Sequence, residues 1–75
     1  MRYFIHIENG DGLVPDELGQ EFPNFDFARK HALRAAAEII ADEIKGGCQV
    51  VHITLHIDDA DRQRIVSLPV TASIE

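Results

Sequence analysis

Two histidines four positions apart, His52 and His56, are the residues whose type and spacing come nearest to a chemical site. They lie in the segment QVVHITLHIDD, whose alternating apolar residues predict a β-strand. A strand rises about 3.3 Å per residue, so their Cα atoms would be about 13 Å apart. Zinc lies only about 2.0–2.1 Å from each imidazole nitrogen that binds it, so one ion cannot easily serve both rings. The spacing of this pair therefore argues against a metal chelate.

A third histidine, His6, reaches the same sheet face if the first and third predicted strands are antiparallel neighbours. In the expected register His6 faces His52 or Thr54, with the opposed Cβ atoms about 4.5–5.5 Å apart. Glu8, two residues along the same face, adds a carboxylate. His6, Glu8 and His52 are therefore the candidate metal ligands, but structural zinc normally takes four ligands. We accordingly expect no bound metal and no other cofactor.

The histidines are also typical of the solvent-facing side of a sheet that is covered by a helix on its other side. That side mixes polar side chains with an aromatic ring, and a small domain can gain buried surface there by pairing with a second copy. Histidines at such an interface would make association depend on pH near their unperturbed pKa of about 6.5. The predicted interaction surface consists of Phe4, His6, His52, Thr54, His56 and Ser67.

The rest of the pattern predicts the elements that position these residues. Asn24 is a good N-cap, Gly46-Gly47 ends the apolar stripe, and between them the 3.6-residue period predicts a helix. We predict one domain, residues 1–75, with an α+β fold: a two-layer ββαββ arrangement of one helix on a mainly antiparallel sheet. A right-handed crossover favours the strand order 2-1-3-4, while 2-1-4-3 stays open. The helix is expected at about 25–45 and the strands at about 2–8, 13–15, 50–57 and 64–70.

Composition narrows the functional classes. Thirteen acidic and seven basic residues give a net charge of −6, whereas nucleic-acid binding draws much of its affinity from Lys and Arg. No apolar run approaches the roughly 18–20 residues that cross a bilayer. The single cysteine, Cys48, fits a reducing cytoplasm. We therefore expect a small acidic cytoplasmic protein that binds neither nucleic acid nor membrane.

Two further places in the sequence contain residue types that can bind calcium or act as a nucleophile, but the spacing or position of these residues does not fit either role. The loop that carries Asn9, Asp11, Asp16 and Glu17 lacks the ligand spacing of an EF-hand, so turn formation explains it better than calcium binding. Cys48 follows a helix C-terminus, whose partial negative charge does not activate a thiol. One helix and four short strands also leave little room for a pocket of about 300 Å³ or more. We therefore expect no enzymatic activity.

Four short motifs lie within residues 3–32, in a pattern that covers nearly the whole chain: Tyr3-Phe4, Asp11-Gly12, Asp16 with Gly19, and Ala28 with Ala32. Through them the chain resembles a family of short uncharacterised bacterial proteins, a domain of unknown function. It departs from the family pattern in the last hairpin, where DDADRQ replaces an Asp-x-x-Gly turn. The resemblance implies an α+β fold, a bacterial cytoplasmic setting and no assigned activity. In architecture alone, the chain is also similar to HicB-type antitoxins.

The leading hypothesis is a non-enzymatic protein-interaction module that acts as a homodimer. The first alternative is a metal- or small-ligand-binding protein that uses the histidine-bearing face. The second alternative is an antitoxin-like inhibitor of a basic toxin, whose partner would be a basic protein. The first two depend on one arrangement, in which the helix covers one side of the sheet and the imidazoles lie on the other.

Overall fold

In a computed structural model, which describes residues 1–74, the helix α1 (Phe25–Lys45) begins and ends where its capping residues predict. The Asn24 side chain accepts a hydrogen bond from the backbone N–H of Phe27 at 3.1 Å. At the other end the backbone N–H of Gly46 donates to the carbonyl of Asp42. Gly47 then takes a φ of 106°, which L side chains rarely adopt, so the glycine pair ends the helix as expected.

Five strands form one antiparallel sheet beneath this helix, and they are β1 (Arg2–Asn9), β2 (Gly12–Val14), β3 (Gln20–Glu21), β4 (Val50–Asp58) and β5 (Arg64–Ser73). Four of them have the order β2-β1-β4-β5, which is the order 2-1-3-4 predicted for the four strands, and the α+β prediction is confirmed. The short strand β3 is additional to the four predicted strands, and it pairs with the start of β1.

The core lies between α1 and the inward side of the sheet. Ala28, Ala32 and Ala36 of the helix are almost fully buried, and their small side chains let the helix backbone lie close to the strands. The side chains beneath are the bulkiest fully buried ones, and they alternate along β4 as a strand with one covered face requires. They are Ile53, Leu55 and Ile57.

The register between β1 and β4 differs from the prediction. His6 lies directly opposite His56 rather than opposite His52 or Thr54. The predicted register was wrong because a shift of two residues leaves every side chain on its own face, so the apolar pattern fits either pairing equally well. The pairing that forms sets Phe4 opposite Asp58, at the end of β4. The metal candidates His6, Glu8 and His52 are consequently not neighbours across the ladder.

Candidate functional site

Two histidine–carboxylate pairs lie side by side on the sheet face opposite α1. His6 of β1 reaches diagonally to Asp58 of β4, with 2.9 Å between Nε2 and Oδ2. His56 of β4 reaches diagonally back to Glu8 of β1, with 2.7 Å between Nε2 and Oε1. Because His6 and His56 are opposed and strand side chains alternate with period two, all four side chains share this face. The sheet itself therefore builds the arrangement.

The contacts of His6 assign a different hydrogen-bonding role to each ring nitrogen. The backbone N–H of Asp16 donates to Nδ1 at 2.9 Å, so Nδ1 acts as the acceptor and carries no proton. Nε2–H is then the group that donates to Asp58. The His6 side chain is only 13% exposed. With both nitrogens engaged inside the chain, His6 has the geometry of a structural link rather than of a catalytic base or a metal ligand.

Asp16 fastens the segment 15–19 onto β1. Its carboxylate accepts hydrogen bonds from the backbone N–H groups of Gly19, at 2.9 Å, and Ile5, at 3.1 Å. Burial acts to raise the pKa of Asp16, but the hydrogen bonds from Gly19, Ile5 and Leu18 outweigh it and lower that pKa below its usual value. The Asp-x-x-Gly motif is thus a clasp whose charged end is bound by main-chain donors.

Gly19 completes this clasp because it has no side chain. Its φ is 71°, and a Cβ at this position would lie 2.9 Å from Phe4 Cε1 and 2.9 Å from the carbonyl oxygen of Tyr3. Both distances are shorter than real Cβ contacts, so any larger residue would push the segment away from β1. The glycine of the motif is therefore required by both its backbone conformation and its close packing.

Asp58 is the most buried charged residue of the described chain, at 7% exposure. Besides its bond to His6, it accepts a hydrogen bond at 2.6 Å from Nε of Arg64. Burial acts to raise the pKa of Asp58, but the hydrogen bonds from Arg64 and His6 outweigh it and lower that pKa below its usual value. The carboxylate is therefore ionised near neutral pH and links β1 to β5 through β4.

His56 is the centre of a second set of contacts on the same face. Its Nδ1 lies 2.8 Å from Nη1 of Arg64 and 2.7 Å from Oγ of Ser67. With Glu8 on Nε2, the group Ser67–His56–Glu8 has the connectivity of a nucleophile triad. However, Arg64 can only donate, so it competes with the Ser67 hydroxyl for the one lone pair of Nδ1. The arrangement thus weakens His56 as a base for Ser67, whose side chain lies on an exposed strand.

Phe4 belongs to this face by alternation, yet it is only 5% exposed. The segment 15–19 covers one part of its ring, and Cζ of Arg62 lies 4.0 Å from the ring centroid. Arg62 also donates a hydrogen bond from Nη2 to the carbonyl of Glu17 at 3.0 Å. The hairpin between β4 and β5 and the segment 15–19 therefore meet over Phe4.

The other predicted residues lie farther along the same face. His52 is exposed, and its Nδ1 lies 3.1 Å from Oγ1 of Thr71. Thr54 is half-buried between Glu8 and Pro69. Within residues 1–74, no group of three or more His, Cys, Asp or Glu side chains is placed to hold a metal ion. The six residues of the predicted interaction surface thus share a face, but Phe4, His6 and His56 are engaged by other parts of the chain.

Sequence reasoning missed Asp16, Asp58 and Arg64 as partners of the histidines. One signal was available in the alternation of β4. Its outward-facing side chains recur at every second residue, so the series that contains His52 and His56 continues to Asp58. The contribution of Asp16 carries no such signal, since it depends on how the segment 15–19 folds back over β1.

The comparisons with known proteins agree with the family resemblance. A family model described as "Domain of unknown function (DUF6894)" matches residues 2–71. No curated protein and no solved structure matches the chain significantly, so similarity to HicB-type antitoxins is not shown. Within residues 1–74, the structure contains no helix that combines the length and the apolar character needed to cross a membrane.

Proposed function

The chain belongs to this family of domains of unknown function, and we propose that it is a non-enzymatic protein-interaction module that acts as a homodimer. The observation that carries the proposal is an apolar surface along one flank of α1 that continues onto β5. This location differs from the histidine-bearing face, because hydrogen bonds within the chain engage His6 and His56, and the segment 15–19 and Arg62 cover Phe4.

α1 is apolar over more of its circumference than one sheet requires. The buried alanines already supply the stripe that faces β4, and such a stripe is typically about 100° wide. A second stripe follows at helical spacing on one flank. Two of its members are exposed alanines and three are half-buried aliphatic residues, so residues 1–74 leave it incompletely covered. This flank stripe consists of Leu33, Ala37, Ile40, Ala41 and Ile44.

The inward side of β5 is incompletely covered as well. Val66, Leu68 and Val70 point toward the helix layer but are only half-buried, because α1 lies mainly over β4 and β1. Ile39 lies on the other flank of α1, where it faces the turn between β1 and β2. The flank stripe is on the opposite flank of the helix and therefore faces β5. The flank stripe and the inward side of β5 therefore form one continuous apolar surface.

Shape and surface area support a partner at this place. The chain extends over 39 × 22 × 17 Å and exposes 5063 Å². A folded monomer of its mass, 8.4 kDa, typically exposes about 4,600 Å². The difference favours a chain that gains further burial by association, and small domains often need such a gain.

The charge pattern of α1 favours a second copy as that partner. Residues 25–35 carry three basic and one acidic residue, a net charge of +2. Residues 36–45 carry three acidic and one basic residue, a net charge of −2. Two such helices that meet antiparallel across a twofold axis set each positive half against a negative half, as a self-complementary interface requires.

Two further parts of the proposal concern chemistry and location. A non-enzymatic role is supported by the two engaged imidazoles, His6 and His56. A reducing cytoplasmic location is supported by Cys48, which is an exposed free thiol. The alternative role, metal or small-ligand binding on the histidine-bearing face, has less support because the candidate ligands bond to other residues of the chain.

Sedimentation equilibrium between about 10 and 500 μM tests the homodimer. We expect concentration-dependent dimer formation, and the variant Ala41→Glu should weaken it at least about tenfold because a charged, longer side chain would have to be desolvated in the apolar flank stripe. Ala60→Glu is the matched control, since Ala60 is an exposed alanine in the hairpin turn, away from the flank stripe. A monomer throughout this range, or equal weakening by both variants, would refute the proposal.

A further inference from the structure

A cavity of about 230 Å³ lies on the other flank of α1, where the turn between β1 and β2 meets the start of β4. Its apolar lining comes from Ile39 of the helix and from Val51 and Ile53, the inward-facing residues of β4. Two exposed carboxylates, Asp11 in the turn and Glu43 in the last turns of α1, also line it. The cavity thus combines an apolar floor with negative charge at its mouth.

The start of β4 contributes main-chain groups to this cavity. β1 pairs with β4 only from Thr54 to Asp58, so residues 50–53 have no strand neighbour on that side within the described chain. Ile74 N–H donates to the Gln49 carbonyl, which makes these two residues a hydrogen-bonded pair of the β4–β5 ladder. In an antiparallel ladder such pairs alternate, so the N–H and C=O groups of Val50 and His52 point toward the cavity.

The residues that line the cavity agree with this alternation. Val50 and His52 both belong to the lining, although their side chains lie on the opposite sheet face from the core. It is therefore their backbone that faces the cavity. Unpaired strand groups of this kind bind an extended segment of another chain by adding it to the sheet.

We propose that this cavity binds a lysine or arginine side chain carried on an extended segment of a partner protein. The backbone of Val50 and His52 recognises the extended main chain. The apolar floor contacts the aliphatic stem of the basic side chain, while Asp11 and Glu43 bind its charged end. All three kinds of contact are supplied by one small site, and no lysine or arginine is among its lining residues.

Size and charge fit a single basic side chain better than a cofactor. At about 230 Å³ the cavity is smaller than the roughly 300–1,000 Å³ of small-molecule pockets. The net charge of −6 also attracts a basic partner over a longer range. The cavity and the flank stripe lie on opposite flanks of α1, so the site stays open in the proposed homodimer and does not depend on it.

Amide chemical shifts during peptide titration test this site. The probe is an acetylated and amidated hexapeptide that alternates valine with lysine, and the matched peptide has glutamate in place of lysine. We expect the amide signals of Val50 and His52 to shift with the lysine peptide and not with the glutamate peptide. Equal binding of the two peptides, shifts confined to other surfaces, or no binding at millimolar concentration would overturn the proposal.

Charge-removing variants test the role of the carboxylates. The double variant Asp11→Asn/Glu43→Gln should weaken binding of the lysine peptide about 2- to 30-fold, the range expected for two exposed ion pairs. The matched control Glu38→Gln/Asp61→Asn removes the same charge from two exposed positions outside the cavity and should leave affinity unchanged. Equal effects of the two double variants would refute carboxylate recognition. Repeating the titration on Ala41→Glu separates this site from dimerisation, since peptide binding should persist there.

Discussion

Arg62 combines a strained backbone with a side chain that offsets the strain, and two substitutions can separate these effects. Its φ of 62° lies in the left-handed region that favours glycine, and no other non-glycine residue in the described chain has a positive φ. Arg62 follows Asp59 by three residues, so it occupies the glycine position of an Asp-x-x-Gly turn. The Asp59 carboxylate accepts hydrogen bonds from the backbone of Asp61 and Gln63, which holds this turn in place.

The size of each effect follows from the contacts of the guanidinium. Arg62→Ala removes the cation–π contact over Phe4, worth about 0.5–1 kcal/mol at exposed sites. It also removes the hydrogen bond to Glu17, worth about 0.5–1.5 kcal/mol. The alanine variant should therefore lose about 1–2.5 kcal/mol of unfolding free energy. Arg62→Gly loses the same contacts but relieves about 1–2 kcal/mol of left-handed backbone strain. The greater backbone entropy of glycine in the unfolded chain offsets about 0.5–1 kcal/mol of this gain.

Urea and thermal unfolding of the two variants measure this balance. The glycine variant should be more stable than the alanine variant, with a central difference of about 0.75 kcal/mol, or about 3–6 °C in Tm for a domain of this size. Ala60→Gly, in the same turn without a positive φ, should instead be destabilising and serves as the control. If the glycine variant is no more stable than the alanine variant, the strain argument fails. If Arg62→Ala matches the wild type, the contacts over Phe4 contribute nothing.

Three other outcomes follow from the polar network and from Cys48. Unfolding free energy should fall as the pH drops below about 4, because Asp16 and Asp58 have lowered pKa values in the fold. The free energy that these two carboxylates contribute is fully present above their unfolded-state pKa of about 3.9. It is lost as the pH falls through their lower folded-state pKa, and urea unfolding at pH 6, 4 and 3 would measure the loss. His6→Gln keeps a donor for Asp58 but leaves the Asp16 N–H without its acceptor, so urea unfolding should show a loss of about 1–3 kcal/mol. The hydrogen bond to Glu43 raises the pKa of the Cys48 thiol, so reaction with a disulfide reagent at pH 7.5 should be slow and Glu43→Gln should accelerate it.

Local patterns determine the elements of this fold but not how the strands are aligned. The cap at Asn24 and the glycine pair after Lys45 predict the helix bounds, because capping depends on residues next to each other in the chain. The β1–β4 register is a different kind of property. His6 lies on the outward face whether it is opposite Thr54 or His56, so alternation cannot choose between them. The choice depends on tertiary contacts at the strand end, where Asp58 meets Arg64 and His6.

The contacts of the histidine-bearing face likewise could not be predicted from local sequence patterns alone. Alternation correctly assigns Phe4 and His6 to the side away from the helix, where solvent exposure would be the ordinary expectation. The segment 15–19 covers them instead, through a carboxylate that bonds to a backbone N–H of β1. The sequence shows Asp16 and Gly19 as turn residues, but the reach of that turn across β1 depends on the assembled sheet.

The turns at residues 16–19 and 59–62 both pack over Phe4. Because they cover this part of the sheet, partner binding is favoured at other surfaces. A sheet with one helix leaves its second face open, and in this chain Gly19 and Arg62 close the part of that face around Phe4. Asp16 and Asp58 then bind His6 from both sides, so the polar groups there are satisfied within the chain. Two surfaces that lack a complete partner within residues 1–74 are the apolar flank stripe of α1 and the start of β4. We therefore propose partner binding at the two flanks of the helix, whereas His6 and His56 link neighbouring strands of the sheet.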